Sequence, residues 1–131
     1  MTYLFDASAI LTAVRLGLGE RLEGNYTLRL ARYEIGNAIL VEGVVRKTYT
    51  KAQQLEFLGI LDEWLGEMSI LDIEGIAKNI LDVAVTFGLS FYDASYVYCA
   101  KYTGITLVTE DKKMVNKIGS YIKTVRTSEI Q

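Results

Sequence analysis

Short apolar runs alternate along this chain with longer stretches in which apolar residues recur every three or four positions. The first pattern suits buried strands and the second suits amphipathic helices. Tyr3-Leu4-Phe5 predicts a strand, followed by a helix from about Ala7 to Val14. A glycine-rich connection, 17–24, leads to a second strand around Thr27 to Leu30. Ile35, Ala38, Ile39, Val41 and Val45 give a long helix from Ala31 to Arg46. Thr50 is placed to cap the next helix, Ala52 to Gly66, whose stripe Leu55, Leu58, Leu61, Trp64 and Leu65 is expected in the core. Met68 to Leu71 reads as a short strand, and Asp72 as the cap of a helix burying Ile73, Ile76, Ala77, Ile80, Ala84 and Phe87 before Gly88 ends it. A helix from Tyr92 to Tyr102, a strand Ile105 to Val108, a short helix Lys112 to Ile118 and a last strand Tyr121 to Val125 complete the pattern.

Strands joined by helices in this rhythm predict a parallel sheet with helices on both faces. No proline, repeat or low-complexity segment marks a boundary, so 1–131 reads as one domain. With half of its residues hydrophobic and 23% charged, the chain has the composition of a globular protein with one core.

Fourteen basic and sixteen acidic residues leave a net charge of −2, so any nucleic-acid contact must be local. Histidine is absent, which removes Ser-His-Asp and Cys-His nucleophiles, imidazole bases and His-containing metal sites together. The one cysteine, Cys99, has no disulfide partner and fits a reducing cytoplasm. No apolar run approaches the roughly 20 residues needed to cross a bilayer, and Asp6 interrupts the start before a signal-peptide core can form. A cytoplasmic protein without a membrane partner is expected.

In parallel α/β sheets, ligands bind outside the carboxyl ends of the strands. Asp6 directly follows the first strand and Asp111 follows the fourth after Thr109 and Glu110, which puts both carboxylates on one rim. Glu34 falls in the first turn of the helix after the second strand, and Asp93 in the first turn of the helix before the fourth. Each Asp alone is well explained as a helix cap or first-turn acid. Glu34 and Asn37, three apart beside an apolar stripe, need partners there or they cost desolvation energy. Four carboxylates at one rim repel unless a cation sits between them, and oxygen-only ligands select Mg²⁺ or Mn²⁺ over zinc.

The segments Tyr3-Leu4-Phe5-Asp6-Ala7-Ser8, Glu34 with Asn37, Gly88-Leu89-Ser90-Phe91-Tyr92-Asp93-Ala94 and Leu107-Val108-Thr109-Glu110-Asp111-Lys112-Lys113 together resemble the PIN domain family, and within it the small VapC-type toxins of toxin–antitoxin pairs. The resemblance spans essentially the whole chain. It implies a three-layer α/β/α sandwich with a central, mostly parallel sheet of about five strands. It also implies a divalent-metal-dependent endoribonuclease with Asp6, Glu34, Asp93 and Asp111 as catalytic, metal-holding acids. Ser8, Asn37 and Thr109 would hydrogen-bond around them, and a small VapB-type antitoxin would cover the cleft. The proline that relatives often carry before the second helix is missing, which should alter the turn there.

Lys112, Lys113 and Arg15 are the candidate phosphate contacts beside this site, with Arg46, Lys47 and Lys117 further candidates. Glu110 reads as a rim acid or an extra ligand, and Glu42 as a solvated residue near the edge. A homodimer is expected from the tyrosine and apolar content, through the helix Ala52 to Gly66 and the segment Ile73 to Ile80. Aspartate-phosphorylating phosphatases and receiver-type phosphoacceptors are disfavoured, because Asp6 lacks the neighbouring acids that they need. The remaining rivals are a non-catalytic RNA- or protein-binding module of the same fold, a stand-alone RNA-processing nuclease, and a nuclease acting on DNA.

Overall fold

In a computed structural model, which describes residues 1–130, five short strands form one sheet in the order β3-β2-β1-β4-β5. They are β1 (Tyr3–Phe5), β2 (Tyr26–Leu28), β3 (Ser69–Leu71), β4 (Thr106–Val108) and β5 (Thr124–Val125). Every adjacent pair is parallel, with Phe5 opposite Val108 and Leu4 opposite Tyr26. Six α-helices surround it: α1 (Ala7–Arg15), α2 (Leu30–Leu40), α3 (Lys51–Gly66), α4 (Ala77–Phe87), α5 (Phe91–Thr103) and α6 (Lys112–Ile118).

Successive strand residues face opposite sides, so Leu4 and Phe5 enter different cores. Phe5 and Val108 pack with α1, α2 and α3 around Ile10, Ile35 and Leu61. Leu4 and Leu107 pack with α4, α5 and α6 around Ile80, Val97 and Met114. This is the expected three-layer arrangement, and the sheet is wholly parallel. No single helix among the described residues is long and apolar enough to cross a membrane.

Four sequence expectations change. The helix foreseen from Ala31 to Arg46 starts at Leu30, and its α-geometry ends at Leu40, after which Val41–Val45 is π-helical. Gln54 is the cause: its Nε2 donates to the Ile39 carbonyl (2.9 Å) and crowds Gly43, where an added Cβ would lie 1.8 Å from it. A side chain inserted into the i→i−4 ladder widens the helix locally. Thr50 does cap α3, with Gln53 completing a reciprocal capping box.

The expected core stripe of α3 is displaced, because Leu55 is 61% exposed and Leu58 38%. The inward residues are Gln54, Phe57, Leu61, Trp64 and Leu65, which also keep helical spacing but track the α2 side of the sheet. Asp72 does not cap a helix; its Oδ1 accepts from the Glu74 amide (3.1 Å) in a turn, and α4 begins only at Ala77. Gly75, at φ +84, breaks the helical path that the apolar spacing suggested. Ala77 is exposed there while Ile80, Val83 and Ala84 are buried. The last strand is confined to Thr124–Val125, because 119–122 form the turn that returns the chain to the sheet.

Candidate active site

Because β1 and β4 are parallel neighbours in register, their carboxyl ends lie side by side. Asp6 leaves β1 with its amide bonded to the Val108 carbonyl (3.2 Å) and becomes the N-cap of α1, accepting from the Ala9 amide through Oδ1 (2.9 Å). Ser8 donates its hydroxyl to the same oxygen (2.6 Å). Thr109, buried at the end of β4, donates to Oδ2 of Asp6. Thr109 Oγ1 in turn accepts from the Asp111 amide (3.1 Å), and Ser8 Oγ accepts from the Glu110 amide (3.1 Å). These bonds cross-link the two strand ends through one carboxylate. Asp111 caps α6 by accepting from the Met114 amide (3.0 Å).

Glu34 and Asp93 reach the same rim from helices. Ser90, not an aspartate, caps α5 by accepting from the Asp93 amide (3.0 Å), which leaves the Asp93 carboxylate uncommitted to capping. Glu34 lies in the second turn of α2, because that helix starts at Leu30 and no proline delays it. Its Oε1 accepts from the hydroxyl of Tyr96, a fully buried residue three positions beyond Asp93 on α5 (2.8 Å). Tyr96 was not a sequence candidate, although its spacing from Asp93 on one helical face was a readable signal.

The acids act on one another electrostatically. Burial pushes Asp6 up to about 6 against the lowering effect of its Ser8, Thr109 and Ala9 donors, and the charge of Asp93 raises it further. Glu34 is raised chiefly by burial and also by Asp6 and Asp93, while the Tyr96 bond opposes the rise. Asp93 is raised by burial and then by Asp111, with Ser90 and Lys117 acting in the other direction. Asp6, Glu34 and Asp93 thus share one field, which Asp111 joins through Asp93. Groups raised by one another favour a proton or a cation between them.

Oxygen donors alone face this rim, which suits a hard divalent ion. Among the described residues, however, no three acidic side chains are grouped tightly enough to grip an ion as they stand.

The surrounding candidates divide. Lys113 and Lys117 line a cavity of about 180 Å³ together with Ser90, Asp93 and Asp111. Lys112 lies in a neighbouring cleft of about 270 Å³ with Asp111 and Arg126. Arg15 is not brought to the rim: it sits at the far end of α1 from Asp6, paired with Glu42 (2.6 Å) and over the Phe57 ring. That ion pair also accounts for Glu42. Glu110 turns away from Asp111 to accept from the Thr127 amide (2.8 Å) and pair with Arg126, tying down the chain after β5. Asn37 is exposed, and among the described residues no hydrogen bond joins it to the acids.

Comparison with known proteins identifies the family and the fold. The curated protein Exonuclease VapC9 of Pyrobaculum aerophilum is 35% identical over 117 residues, covering 88% of this chain and 84% of its own. The crystal structure of PAE2754 from Pyrobaculum aerophilum superposes with a TM-score of 0.80 at 30% identity, over 98% of this chain and 93% of that one. FitAcB from Neisseria gonorrhoeae shares the fold at a TM-score of 0.62 and 17% identity, over 99% of this chain and all of that one. The family model described as PIN domain matches residues 3–119, and the chain belongs to the PIN domain family.

Proposed function

We propose that this protein is a metal-dependent ribonuclease and the toxin of a toxin–antitoxin pair, with Asp6, Glu34, Asp93 and Asp111 as its catalytic acids. The observation that carries the reading is the convergence of Asp6 and Asp111, at the ends of adjacent parallel strands, with Glu34 and Asp93 from helices, where burial first and neighbouring acids second raise Asp6, Glu34 and Asp93. Gathering partly buried acids beside one another costs stability, which fits a site kept for chemistry. The VapC name of the 35% identical relative supports the nuclease and toxin class.

Asp6, Asp93 and Asp111, with Glu34, would hold Mg²⁺ or Mn²⁺. When bound, such an ion supplies an activated water and neutralises charge on the phosphodiester. The chain's own groups do the positioning. Ser8, Ala9 and Thr109 fix both oxygens of Asp6, and Tyr96 fixes Glu34. Lys113 and Lys117 offer positive charge to a phosphate lying over Asp93 and Asp111.

The deciding assay incubates the chain with linear and circular single-stranded RNA in Mg²⁺, Mn²⁺ or EDTA. Cleavage should require the ion and disappear in Asp6→Asn and Asp93→Asn while folding is retained. Cleavage of the circle identifies an endonuclease, whereas cleavage of the linear RNA alone matches the exonuclease name of the relative. A matching DNA substrate tests the sugar. The loose spacing of the acids favours a second reading, a non-catalytic RNA- or protein-binding module; ion-independent binding without cleavage would establish it. The toxin reading carries a small antitoxin, whose arginine could meet the acids bidentately. Co-expression with the adjacent reading frame and pull-down tests that partner.

A homodimer belongs to the same proposal. Exposed Leu55, Leu58 and Ile60 on α3 favour that helix as the contact. The Ile73 to Ile80 segment does not suit it, since Ile76 and Ile80 are buried in the core.

A further inference from the structure

Beside the acids lies a cleft of about 240 Å³ whose walls are unlike the rest of the rim. It is lined by Leu28 and Leu71, at the carboxyl ends of β2 and β3, by Leu30 and Ile73, and by Phe91 and Tyr92 of α5. Both aromatic residues are exposed, Phe91 by 37% and Tyr92 by 59%, although each stands in the first turn of a helix with a buried face. Arg29 and Asp72 stand at its edge, and the Asp72 carboxylate is held by the Glu74 amide.

We propose that this cleft is a nucleobase subsite, which seats one base of a single-stranded RNA next to the phosphodiester at the acids. The inference rests on the nuclease reading above. Three observations select a base over other occupants. First, the volume lies below the roughly 300–1,000 Å³ of pockets that enclose drug-sized ligands, so it suits one flat ring system. Second, two exposed aromatic side chains among aliphatic ones suit stacking, while Arg29 offers a cation to an adjoining phosphate and Asp72 an acceptor to a base amino group. Third, the cleft and the acids share their elements: Tyr92 directly precedes Asp93 on α5, and Leu30 lies one turn before Glu34 on α2. On this proposal a strand whose phosphate meets Asp93 places a neighbouring base against Tyr92. Stacking tolerates any base, and the Arg29 and Asp72 edge adds preference among bases.

The test uses full-length Asp6→Asn protein, to prevent turnover, and single-stranded RNA octamers carrying 2-aminopurine or an abasic residue at successive positions. Quenching is expected at one position, and an abasic residue there should weaken binding by about tenfold, in line with loss of one stacked base. Tyr92→Ala should cost a similar factor and add nothing further on the abasic octamer, whereas Tyr92→Phe should restore binding. Because Tyr92 is largely exposed, its replacement leaves the core intact, and circular dichroism verifies this. Equal binding of the abasic octamers, or losses from Tyr92→Ala and the abasic residue that multiply, overturns the proposal; a cleft made for a protein segment gives that result. Parallel cleavage by the wild-type chain in Mg²⁺ and EDTA separates the two ideas. Cleavage without position-specific quenching sinks the subsite alone, and quenching without cleavage sinks the nuclease reading alone.

Discussion

Asp6 carries a structural demand and, in the proposed function, a chemical one on the same carboxylate. Oδ1 caps α1 and Oδ2 is bonded to Thr109 at the end of β4, yet burial holds its pKa near 6 against an ordinary 3.8. The folded protein therefore binds this proton more tightly than the unfolded chain does. Stability is lost as pH rises from about 4 through 6, and the loss is complete above that, on the order of 2–3 kcal/mol at 1.36 kcal/mol per unit. In metal-free buffer Asp6→Asn should melt higher than wild type at pH 7, with the advantage shrinking toward pH 4. Calorimetry at both values checks this, and an advantage independent of pH would contradict it. Tyr96 provides a second residue-scale prediction. Its hydroxyl opposes the rise in the Glu34 pKa, so Tyr96→Phe should raise that pKa further and move the acidic limb of the pH–rate profile to higher pH. A change in melting temperature with an unmoved profile would make the contact merely structural.

The helix starts set where each acid stands, and the caps doing so differ in how openly they are written. Thr50 and Gln53 form a reciprocal capping box on α3, in an exposed position far from the acids. Thr50→Ala should cost about 1 kcal/mol, the usual worth of such a cap, and leave cleavage unchanged. Thermal melts and the RNA assay measure the two together. Ser90 caps α5 in the same way but delivers Asp93 to the rim. Ser90→Ala should therefore lower both stability and activity, in contrast to Thr50→Ala. The π-helical Val41–Val45 had no local signature, because its cause, Gln54, lies on the next helix. A similar displacement moved the α3 core from Leu55 and Leu58 to Gln54 and Phe57. Two stripes of suitable spacing exist on that helix, and only its neighbours choose between them.

Across the whole molecule, the sheet order places β1 at the centre, between β2 and β4. Asp6 at its end can thus be approached by α2 from one side and by α5 and α6 from the other. Since a divalent ion would bind only the folded arrangement, saturating Mg²⁺ or Mn²⁺ should raise the melting temperature. Linkage gives about 2.7 kcal/mol at a hundredfold excess over Kd. The rise should vanish in Asp93→Asn, and a rise that persists there would place the ion elsewhere. Light scattering at high protein concentration tests the proposed homodimer; a mass of twice 14.7 kDa that falls to 14.7 kDa in Leu55→Glu with Leu58→Glu is the expected outcome.

The alternation of short strands and amphipathic helices was enough to determine the layer architecture, because apolar periodicity is local and strong. It also placed Asp6 and Asp111 on one rim, since Asp6 directly follows one strand and Asp111 comes three residues after the end of another in a sheet expected to be parallel. Tertiary structure decided the rest. Tyr96 meets Glu34 across 62 positions of sequence, and Thr109 reaches Asp6 across 103. Arg15 was an open phosphate candidate in sequence and becomes half of an ion pair with Glu42 once α1 and α2 pack together. Periodicity says which face of an element is buried, but the partner that a polar side chain finds depends on which elements the fold brings beside it. Polar contacts act over a few ångströms and carry no periodic signal, so the family resemblance offered Ser8, Asn37 and Thr109 around the acids, while packing joined Ser8 and Thr109 to Asp6, added Tyr96 and left Asn37 out.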